Sequence, residues 1–303
     1  MKSNENNEHS FSLATETKNI LQKHGIRLNK NLGQNYLIDD YKRKKIINFA
    51  NISKNDTILE IGPGGIGTLT IELSKKAKKV VAIEQDKKIF EILSERIEEE
   101  NVSNIDLIND DALNVEISTF SKSNKIVSNL PYQISSPITF KFLEFDFDLA
   151  ILMYQKEFAN RMIAKVGDKN YSRLSAMLYF KTSIEFLDNI SPQSFIPQPK
   201  VNSAVVKLTH IKNESFFSNK TNEKDYSVVC RAIFPHKNKK IRNALIDSRN
   251  ILGYSDKKIL RDLLDSSPEL ESFLVKRVVK TSPEEILELT SLIKPILWGI
   301  TLE

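Results

Sequence analysis

Short apolar runs alternate with amphipathic stretches along the first half of the chain. Between these runs, apolar side chains recur at helical spacing, for example at 39–50 and 87–100. Short apolar strands that alternate with helices form parallel sheets, and helices cover both faces of such sheets. The pattern therefore predicts an α/β fold with a mostly parallel sheet, whose strands are TILEI at 57–61, VVAI at 80–83, IDLI at 105–108, KIVSNL at 125–130 and DLAILMY at 148–154.

The alternation changes after Tyr171. MLYFKTSIEFL at 177–187 and VNSAVVKLTH at 201–210 predict two extended segments that close the edge of the sheet, separated by a proline-rich stretch. Beyond 212–225, which is polar and lacks periodicity, the apolar spacing is helical. We therefore predict a disordered tail at 1–18, an α/β domain at 19–211, a linker at 212–225 and a smaller C-terminal helical domain at 226–303.

Composition limits the partners and the cellular compartment that we expect for this protein. A length of 303 residues allows two domains, and the net charge of +5 favours a polyanionic partner because Lys and Arg neutralise phosphates. Cys230 is the single cysteine, which excludes an internal disulfide and fits a reducing cytoplasm, and the histidines show no zinc-ligand spacing. No apolar run approaches the ~20 residues that a membrane span needs. We expect a cytoplasmic protein with no metal site and no membrane partner.

A glycine-rich loop follows the first predicted strand, in ILEIGPGGIGTLT at 58–70. Gly62, Gly64 and Gly67 would let the main chain approach a ligand closely. Their spacing also matches the dinucleotide fingerprint. The glycines alone therefore leave three interpretations open: a nicotinamide dinucleotide site, an S-adenosylmethionine site and a purely structural turn.

Residues around this loop favour S-adenosylmethionine. Glu60 would neutralise the ammonium group of the methionine part, whereas it would repel a pyrophosphate. Pro63 removes a main-chain N–H that a phosphate cradle would use. Glu84 ends the second strand and is placed to accept hydrogen bonds from two ribose hydroxyls. The alternative is that Glu84 is an ordinary surface carboxylate. Asp111 is placed to accept a hydrogen bond from the adenine of the cofactor; the neighbouring Asp110 is equally placed, and either carboxylate could instead cap the next segment.

The tetrapeptide Asn129-Leu130-Pro131-Tyr132 ends the fourth predicted strand, where open α/β sheets place their ligands. The adenine amine is a poor nucleophile because its lone pair is delocalised into the ring. Two acceptors, the Asn129 side-chain carbonyl and the Leu130 main-chain carbonyl, would draw that pair back onto nitrogen, while Pro131 keeps Leu130 extended. Tyr132 would stack on a base rotated out of its helix. Alone, the motif would more readily indicate a proline turn with a buried tyrosine, but its position three strands after the glycine loop favours catalysis.

With these motifs in this order, the chain resembles the ribosomal RNA small-subunit adenine dimethyltransferase family over about 30–285. One further stretch, FPHKNKK, is closer to the archaeal and eukaryotic members than to the bacterial ones. The motifs that carry the resemblance are KNLGQNYLID at 30–39, LEIGPGGIG at 59–67, AIEQD at 82–86, DDAL at 110–113, NLPYQIS at 129–135, QKEFANR at 155–161, YSRLS at 171–175, FIPQPKVNSAVV at 195–206, FPHKNKKIRNAL at 234–245 and TSPEE at 281–285.

The resemblance implies a Rossmann-like, S-adenosylmethionine-dependent methyltransferase domain with a mostly parallel seven-stranded sheet, followed by the smaller helical domain. It implies a monomer that dimethylates the N6 amine of adenosines near the 3′ end of small-subunit ribosomal RNA, in immature subunits, as part of their biogenesis. It also implies that Phe195 sandwiches the target base opposite Tyr132. The cofactor contacts that it implies are Gln34, Asn35, Leu37, Gly62, Glu84, Asp111 and Asn129.

A cationic run in the helical domain suggests where RNA binds. The segment RAIFPHKNKKIR at 231–242 carries no acidic residue. A charge run of this kind is often only a solvated helix face, but the resemblance favours phosphate contact. The predicted RNA-binding residues are Arg231, Lys237, Lys239, Lys240 and Arg242.

Three other functions compete with this interpretation. A related group of methyltransferases modifies large-subunit ribosomal RNA and confers antibiotic resistance, and it shares the glycine loop and the tetrapeptide type. An assembly factor would bind the pre-ribosome with methylation dispensable. A nicotinamide-dependent oxidoreductase is supported only by the glycine spacing and would be revealed by NADH binding.

Overall fold

The structure, a computed structural model, describes residues 12–26, 35–64, 66–211 and 220–299. Within it the chain divides into two units. The first unit comprises Met1–Ala159 with Ile184–His210, and the second comprises Asn160–Ser183 with Ile211–Glu303. Residues 160–183 therefore belong to the second unit, although their sequence pattern continues the α/β domain predicted at 19–211.

Strands β2 to β7 and β9 form one seven-stranded sheet with the order β4-β3-β2-β5-β6-β9-β7. The pairs β2–β3, β3–β4, β2–β5 and β5–β6 are parallel, whereas β9 runs antiparallel to β6. Strands β1 and β8 form a separate antiparallel pair. The predicted mostly parallel sheet and its closing strand pair are confirmed. The strand bounds are β1 Tyr36–Leu37, β2 Thr57–Ile61, β3 Lys79–Glu84, β4 Ile105–Asn109, β5 Lys125–Asn129, β6 Leu149–Gln155, β7 Thr182–Ile190, β8 Phe195–Ile196 and β9 Ser203–His210.

Helices connect the parallel strands and then make up most of the second unit. Side-chain caps fix where two of these helices begin. The Asp39 carboxylate accepts from the main-chain N–H of Lys42 at the start of the helix at 40–49, and Asp86 caps the helix at 87–99 in the same way. The helix bounds are α1 Leu13–Lys23, α2 Asp40–Phe49, α3 Thr70–Lys76, α4 Lys87–Glu99, α5 Ile117–Phe120, α6 Ser135–Phe142, α7 Lys156–Met162, α8 Arg173–Tyr179, α9 Lys220–Ile233, α10 Ile241–Asp247, α11 Lys257–Asp265, α12 Glu271–Leu274 and α13 Pro283–Trp298.

Apolar side chains of the sheet pack against helices α2 and α3 in the first unit. Ile46 and Ile47 of α2 and Leu73 of α3 meet the strand residues Ile58 and Val80 in one buried cluster. Burial of these side chains, each roughly 1.5–3 kcal/mol, holds the strands in register and keeps their carboxyl ends at one edge. That edge carries the candidate site.

The boundaries predicted for the tail and the linker need correction. Helix α1 begins within the predicted tail at 1–18, because Ser12 caps it and Thr17 and Leu21 are buried. Helix α9 begins at Lys220, within the predicted linker at 212–225. Polar side chains near its start are held by ion pairs, Glu223 with Lys181 and Asp225 with Lys294, which polarity alone does not reveal.

The extended segment predicted at 177–187 is also partly wrong. Residues 177–179 end helix α8, and strand β7 begins only at Thr182. Met177 and Leu178 are buried in the helix, so their apolar character reflects packing in a helix rather than in a strand. Runs of buried apolar residues are compatible with either structure.

The second unit is built around helix α9, whose Tyr226, Val229, Cys230 and Ile233 are buried at helical spacing. Helix α13 begins with a capping box in which Ser282 and Glu285 exchange hydrogen bonds with each other's main chain. Among the helices that the structure describes, none has both the length and the apolarity needed to cross a membrane.

Candidate active site

A cavity of about 280 Å³ lies at the carboxyl ends of strands β2, β3 and β5 and beside strand β1. This is where open α/β sheets bind ligands. The structure brings together most of the residues that the sequence suggested for the cofactor; Gln34 lies outside the described residues. The predicted residues that line the cavity are Asn35, Leu37, Glu60, Gly62, Gly64, Glu84, Asp111 and Asn129.

Two positions of the loop require glycine, both because of their backbone conformation and because neighbouring side chains leave no room for a Cβ. Gly62 has a φ of 65° and Gly64 a φ of 71°, values that L side chains rarely adopt. A Cβ on Gly62 would lie 3.0 Å from Cγ of Pro131, and a Cβ on Gly64 would lie 3.0 Å from Cδ1 of Tyr36. The loop therefore packs closely against Pro131 of the tetrapeptide on one side and against strand β1 on the other.

Glu60 is the most unusual charged residue of the cavity wall. Its side chain is buried, with 1% exposed, and its Oε2 has no hydrogen-bond partner among the described residues. Burial raises the pKa of Glu60 to about 8, and the nearby Glu84 carboxylate adds to that rise. A buried carboxylate with one oxygen unpartnered is costly unless a ligand supplies a cation, so the site fits an ammonium group.

Glu84 also lies in the wall, at the end of β3, with 8% of its surface exposed. Its Oε1 accepts from the main-chain N–H of Asp86 at 2.9 Å, and burial raises its pKa to about 7. The alternative of an ordinary surface carboxylate is therefore wrong. Asp110 and Asp111 both line the cavity, and the Asp111 Oδ1 accepts from the main-chain N–H of Leu113 at 2.9 Å. Asp111 thus also serves as the cap that the sequence left as an alternative.

The end of strand β5 is held from two sides. The Ser128 hydroxyl donates to the main-chain carbonyl of Ile61 at 2.6 Å, which ties β5 to the start of the glycine loop. The Asn129 Nδ2 donates to the main-chain carbonyl of Asn35 at 2.9 Å. Because the amide nitrogen is used in this way, Oδ1 is the end of the side chain that can accept a hydrogen bond from a substrate amine.

The rest of the tetrapeptide is also fixed. Leu130 is buried, with 1% exposed, and Pro131 lines the cavity. Tyr132 is half-buried, and its hydroxyl lies 2.6 Å from that of Ser203 in strand β9. Burial raises the pKa of the Tyr132 hydroxyl above its ordinary value, so it is neutral at physiological pH.

Phe195, the residue expected to stack on the target base, is buried. Its side chain is 1% exposed and belongs to the buried cluster that contains Leu37, Ile46 and Ile47. Phe195 pairs with Leu37 across the β1–β8 pair. The Phe195 ring is therefore buried in the core of the first unit, and its stacking on a base opposite Tyr132 stays a prediction.

Comparison with known proteins identifies the family. The model of the family described as "Ribosomal RNA adenine dimethylase" matches residues 25–265, which is most of the chain. The chain belongs to this family. The Rossmann-like methyltransferase fold implied by the sequence motifs is confirmed, and membership argues against the nicotinamide-dependent alternative.

Relatives of this adenine dimethylase are found among archaea. The probable ribosomal RNA small subunit methyltransferase A of Methanothermobacter thermautotrophicus is 46% identical over 290 residues, covering 94% of this chain and 97% of that protein. The protein of the same description from Methanosphaera stadtmanae is 48% identical over 280 residues, covering 92% and 98%.

Two solved structures share the architecture of this adenine dimethylase. A dimethyladenosine transferase from Plasmodium falciparum superimposes with a TM-score of 0.70 at 31% identity, covering 86% of this chain and 98% of that one. The 23S rRNA methyltransferase ErmE superimposes with a TM-score of 0.59 at 25% identity, covering 86% and 100%.

The predicted RNA-binding cations differ in how far other groups neutralise them. Arg242 forms two hydrogen bonds with the Asp265 carboxylate, one of them from Nε at 2.6 Å, and Lys239 pairs with Asp247 at 2.8 Å. The Lys237 ammonium donates to the main-chain carbonyls of Lys169 at 2.8 Å and Tyr171 at 3.3 Å. Arg231 and Lys240 are exposed and form no ion pair within the part of the chain that the structure describes.

Several residues that shape the site escaped sequence reasoning. Tyr36 lines the cavity and packs on Gly64, and it lies within the GQNYL stretch that the resemblance alone marked. Ser203 lies in the VNS stretch, to which no role was assigned. Lys141 donates to the main-chain carbonyls of residues 112, 113 and 115 and lies over the Phe120 ring. No local pattern marks such partners because their targets are distant in sequence.

Proposed function

We propose that this chain transfers methyl groups from S-adenosylmethionine to the N6 amine of adenosines in small-subunit ribosomal RNA. The observation that carries the proposal is the Asn129 amide at the cavity edge, held by the Asn35 carbonyl so that its Oδ1 is the acceptor. Family membership supplies the reaction class. The archaeal relatives, by their description, act on the small subunit.

The cavity fits S-adenosylmethionine by the chemistry of its walls. Glu60, whose Oε2 has no partner among the described residues, would pair with the ammonium group, Glu84 would accept from the ribose hydroxyls, and Asp111 would accept from the adenine amine. Gly62 and Gly64 let the main chain approach the bound molecule closely. When bound, S-adenosylmethionine supplies an electrophilic methyl group on a sulfonium centre.

The residues of the tetrapeptide prepare the substrate amine. Asn129 Oδ1 and the Leu130 main-chain carbonyl accept hydrogen bonds from the two N–H groups, which returns lone-pair density to nitrogen. Tyr132 offers an aromatic face to a base rotated out of its helix. Holding the amine in line with the methyl group of the cofactor then lowers the activation free energy of methyl transfer by several kcal/mol. We also propose that two methyl groups are added to each amine, and that immature small subunits are the particle modified.

RNA would be held by cations of the second unit. Three of its segments, 165–169, 236–240 and 276–280, are joined by main-chain hydrogen bonds, including Gly167 N–H to the Val279 carbonyl and Val279 N–H to the Lys237 carbonyl, both at 2.9 Å. Lys276 is paired with Glu285 at 2.7 Å. We call the other lysines and arginines of these segments the three-segment basic surface: Lys165, Lys169, Lys237, Lys239, Lys240, Arg277 and Lys280.

Charge on this surface is only partly compensated. The Lys237 ammonium and the Arg277 guanidinium are held by main-chain carbonyls, of residues 169 and 171 and of Asn238 respectively, not by carboxylates. Their positive charge therefore stays available to phosphates, and binding would release counterions. The sequence pointed only to the middle segment of this surface.

Radiolabelled methyl transfer tests the proposed function. Small-subunit RNA, immature small subunits and large-subunit RNA would each be incubated with labelled S-adenosylmethionine, and the products identified by nucleoside mass spectrometry. We expect dimethyladenosine in small-subunit material alone. Label in large-subunit RNA would instead support the activity named for ErmE, which the chain resembles in fold. Tight binding without label would support an assembly factor.

A further inference from the structure

The hydroxyl groups of Tyr132 and Ser203 lie 2.6 Å apart and hydrogen bond to each other. The two residues are separated by 71 positions in the sequence. Tyr132 belongs to the tetrapeptide that ends β5, and Ser203 is the first residue of β9. The contact therefore links the aromatic ring proposed to receive the base to a strand that carries none of the other proposed catalytic groups.

Ser203 is itself rigidly held. Its side chain is completely buried, and it pairs opposite Gln155 in the antiparallel register of β6 and β9. Next to it, the main-chain N–H of Lys156 donates to the carbonyl of Asn202 at 2.9 Å. A buried hydroxyl on a paired strand cannot turn to water, so on the Ser203 side the hydrogen bond to Tyr132 has no solvent competitor.

The Tyr132 ring is thus restrained at both ends. At the main-chain end, Pro131 has a φ of −57° and packs closely on Gly62. At the hydroxyl end, Ser203 fixes how far the ring extends and how it tilts. The Tyr132 hydroxyl lies on the axis that runs from Cβ through Cγ to Oη, so a fixed hydroxyl sets χ1 and the direction of that axis, and with it the place that the ring occupies.

We propose that Ser203 is a positioning residue for the target base, because it fixes the direction and the reach of the Tyr132 ring on which the adenine stacks. This inference rests on the proposed function. Ser203 does not line the cofactor cavity, whose described lining includes Asn129 and Pro131 from this end of β5. Its effect is therefore confined to the RNA substrate, and cofactor affinity does not depend on it.

Ser203→Ala and Tyr132→Phe remove the same hydrogen bond from opposite sides, so a double-mutant cycle tests the proposal. Each single variant should lower kcat/KM for the RNA roughly three- to tenfold, the range expected for one hydrogen bond. The double variant should show no further loss, since the bond is already absent. Affinity for S-adenosylhomocysteine, measured by calorimetry, should match that of the wild type.

Ser123→Ala is the matched control, since Ser123 is another buried serine of the first unit and its hydroxyl has no partner among the described residues. It should leave kcat/KM for the RNA unchanged. Wild-type kcat/KM in Ser203→Ala, or losses that add up in the double variant, would overturn the proposal. Weaker cofactor binding in Ser203→Ala would overturn it as well, because that result indicates a general structural role.

A second readout separates this proposal from the proposed function. In protein with 13C-labelled tyrosine rings, the Tyr132 signals are assigned by their loss in Tyr132→Phe. Ser203→Ala should shift these signals, most of all those of the ring carbons next to the hydroxyl, whether or not any RNA is methylated. If the wild type methylates no RNA, the proposed function fails while the ring signals still decide the role of Ser203. Unchanged ring signals refute it.

Discussion

The side-chain Nδ2 of Asn129 donates to the main-chain carbonyl of Asn35 at 2.9 Å, across 94 positions of sequence. This contact uses the amide nitrogen and leaves Oδ1 as the end of the side chain that can accept a hydrogen bond. Asn35 also lines the cavity, so one residue before strand β1 both forms part of the cavity wall and holds the Asn129 amide. The proposed cofactor binding and the proposed amine activation would therefore share one structural element.

Asn129→Ala should lower methyl transfer by on the order of 10²-fold or more, because it removes one acceptor aimed at the amine. Cofactor and RNA affinities should change little. Single-turnover rates and equilibrium binding measure the two effects separately. Asn129→Asp is the informative companion: it keeps an acceptor oxygen but cannot donate to Asn35, and we expect it to be impaired too. Full activity in Asn129→Asp would show that the tether to Asn35 is dispensable.

Glu60→Gln should have opposite effects on stability and on cofactor binding. The folded-state pKa of Glu60 is raised to about 8 from 4.5, so the folded protein holds this proton over a range where the unfolded chain has lost it. The unfolding free energy of the free protein therefore falls as pH rises through that range, and Glu60→Gln removes this part of the fall. At high pH the variant should be more stable by about 1 kcal/mol or more.

The same substitution should weaken S-adenosylmethionine binding, because the neutral amide no longer pairs with the ammonium group. Wild-type affinity should rise as Glu60 loses its proton, whereas the affinity of Glu60→Gln should depend less on pH. Thermal unfolding and calorimetry between about pH 6 and pH 9 test both parts. Glu84, whose pKa is also raised, interacts with Glu60 and contributes to the pH dependence of both proteins. Equal affinity in the two proteins at high pH would contradict the pairing.

Lys141→Met should weaken cofactor binding without a matching loss of turnover. Lys141 holds the loop that carries Asp111, through the carbonyls of Ala112 at 2.8 Å and Leu113 at 3.0 Å and also that of Val115. Methionine keeps the apolar stem but leaves these carbonyls unpaired, at a cost of roughly 1–3 kcal/mol in stability.

The expected result for Lys141→Met is a rise in KM for S-adenosylmethionine of about fivefold or more, with kcat at saturation near the wild-type value. Lys44→Met is the control, because Lys44 is exposed and forms only a surface pair with Asp40, worth little. A loss confined to kcat would show that the loop does not act through the cofactor.

The double variant Lys240→Gln with Lys280→Gln should weaken RNA binding and reduce its dependence on salt. Each lost phosphate contact lowers the slope of log affinity against log salt by about 1, so a reduction of about 2 is expected. Lys258→Gln with Arg261→Gln removes the same charge from the exposed face of helix α11 and serves as the control. If both double variants reduce the slope equally, net charge and not the three-segment basic surface governs binding.

Periodicity in the sequence was sufficient to predict the α/β core of this protein. Strand β2 was predicted at its observed bounds, and helices α2 and α4 within one residue at each end, because the repeat of apolar positions encodes which faces must be buried. The glycine loop and the tetrapeptide were also recognisable, since both depend on residues adjacent in the chain.

Only the tertiary structure decided which distant groups meet. Asn129 meets Asn35, Tyr132 meets Ser203, and Phe195 is packed in the buried core. Arg242 forms an ion pair with Asp265, which neutralises its charge. Local sequence reports the chemistry that each side chain carries, whereas its partner, its burial and its free face follow from the packing of whole elements, which no short-range pattern encodes.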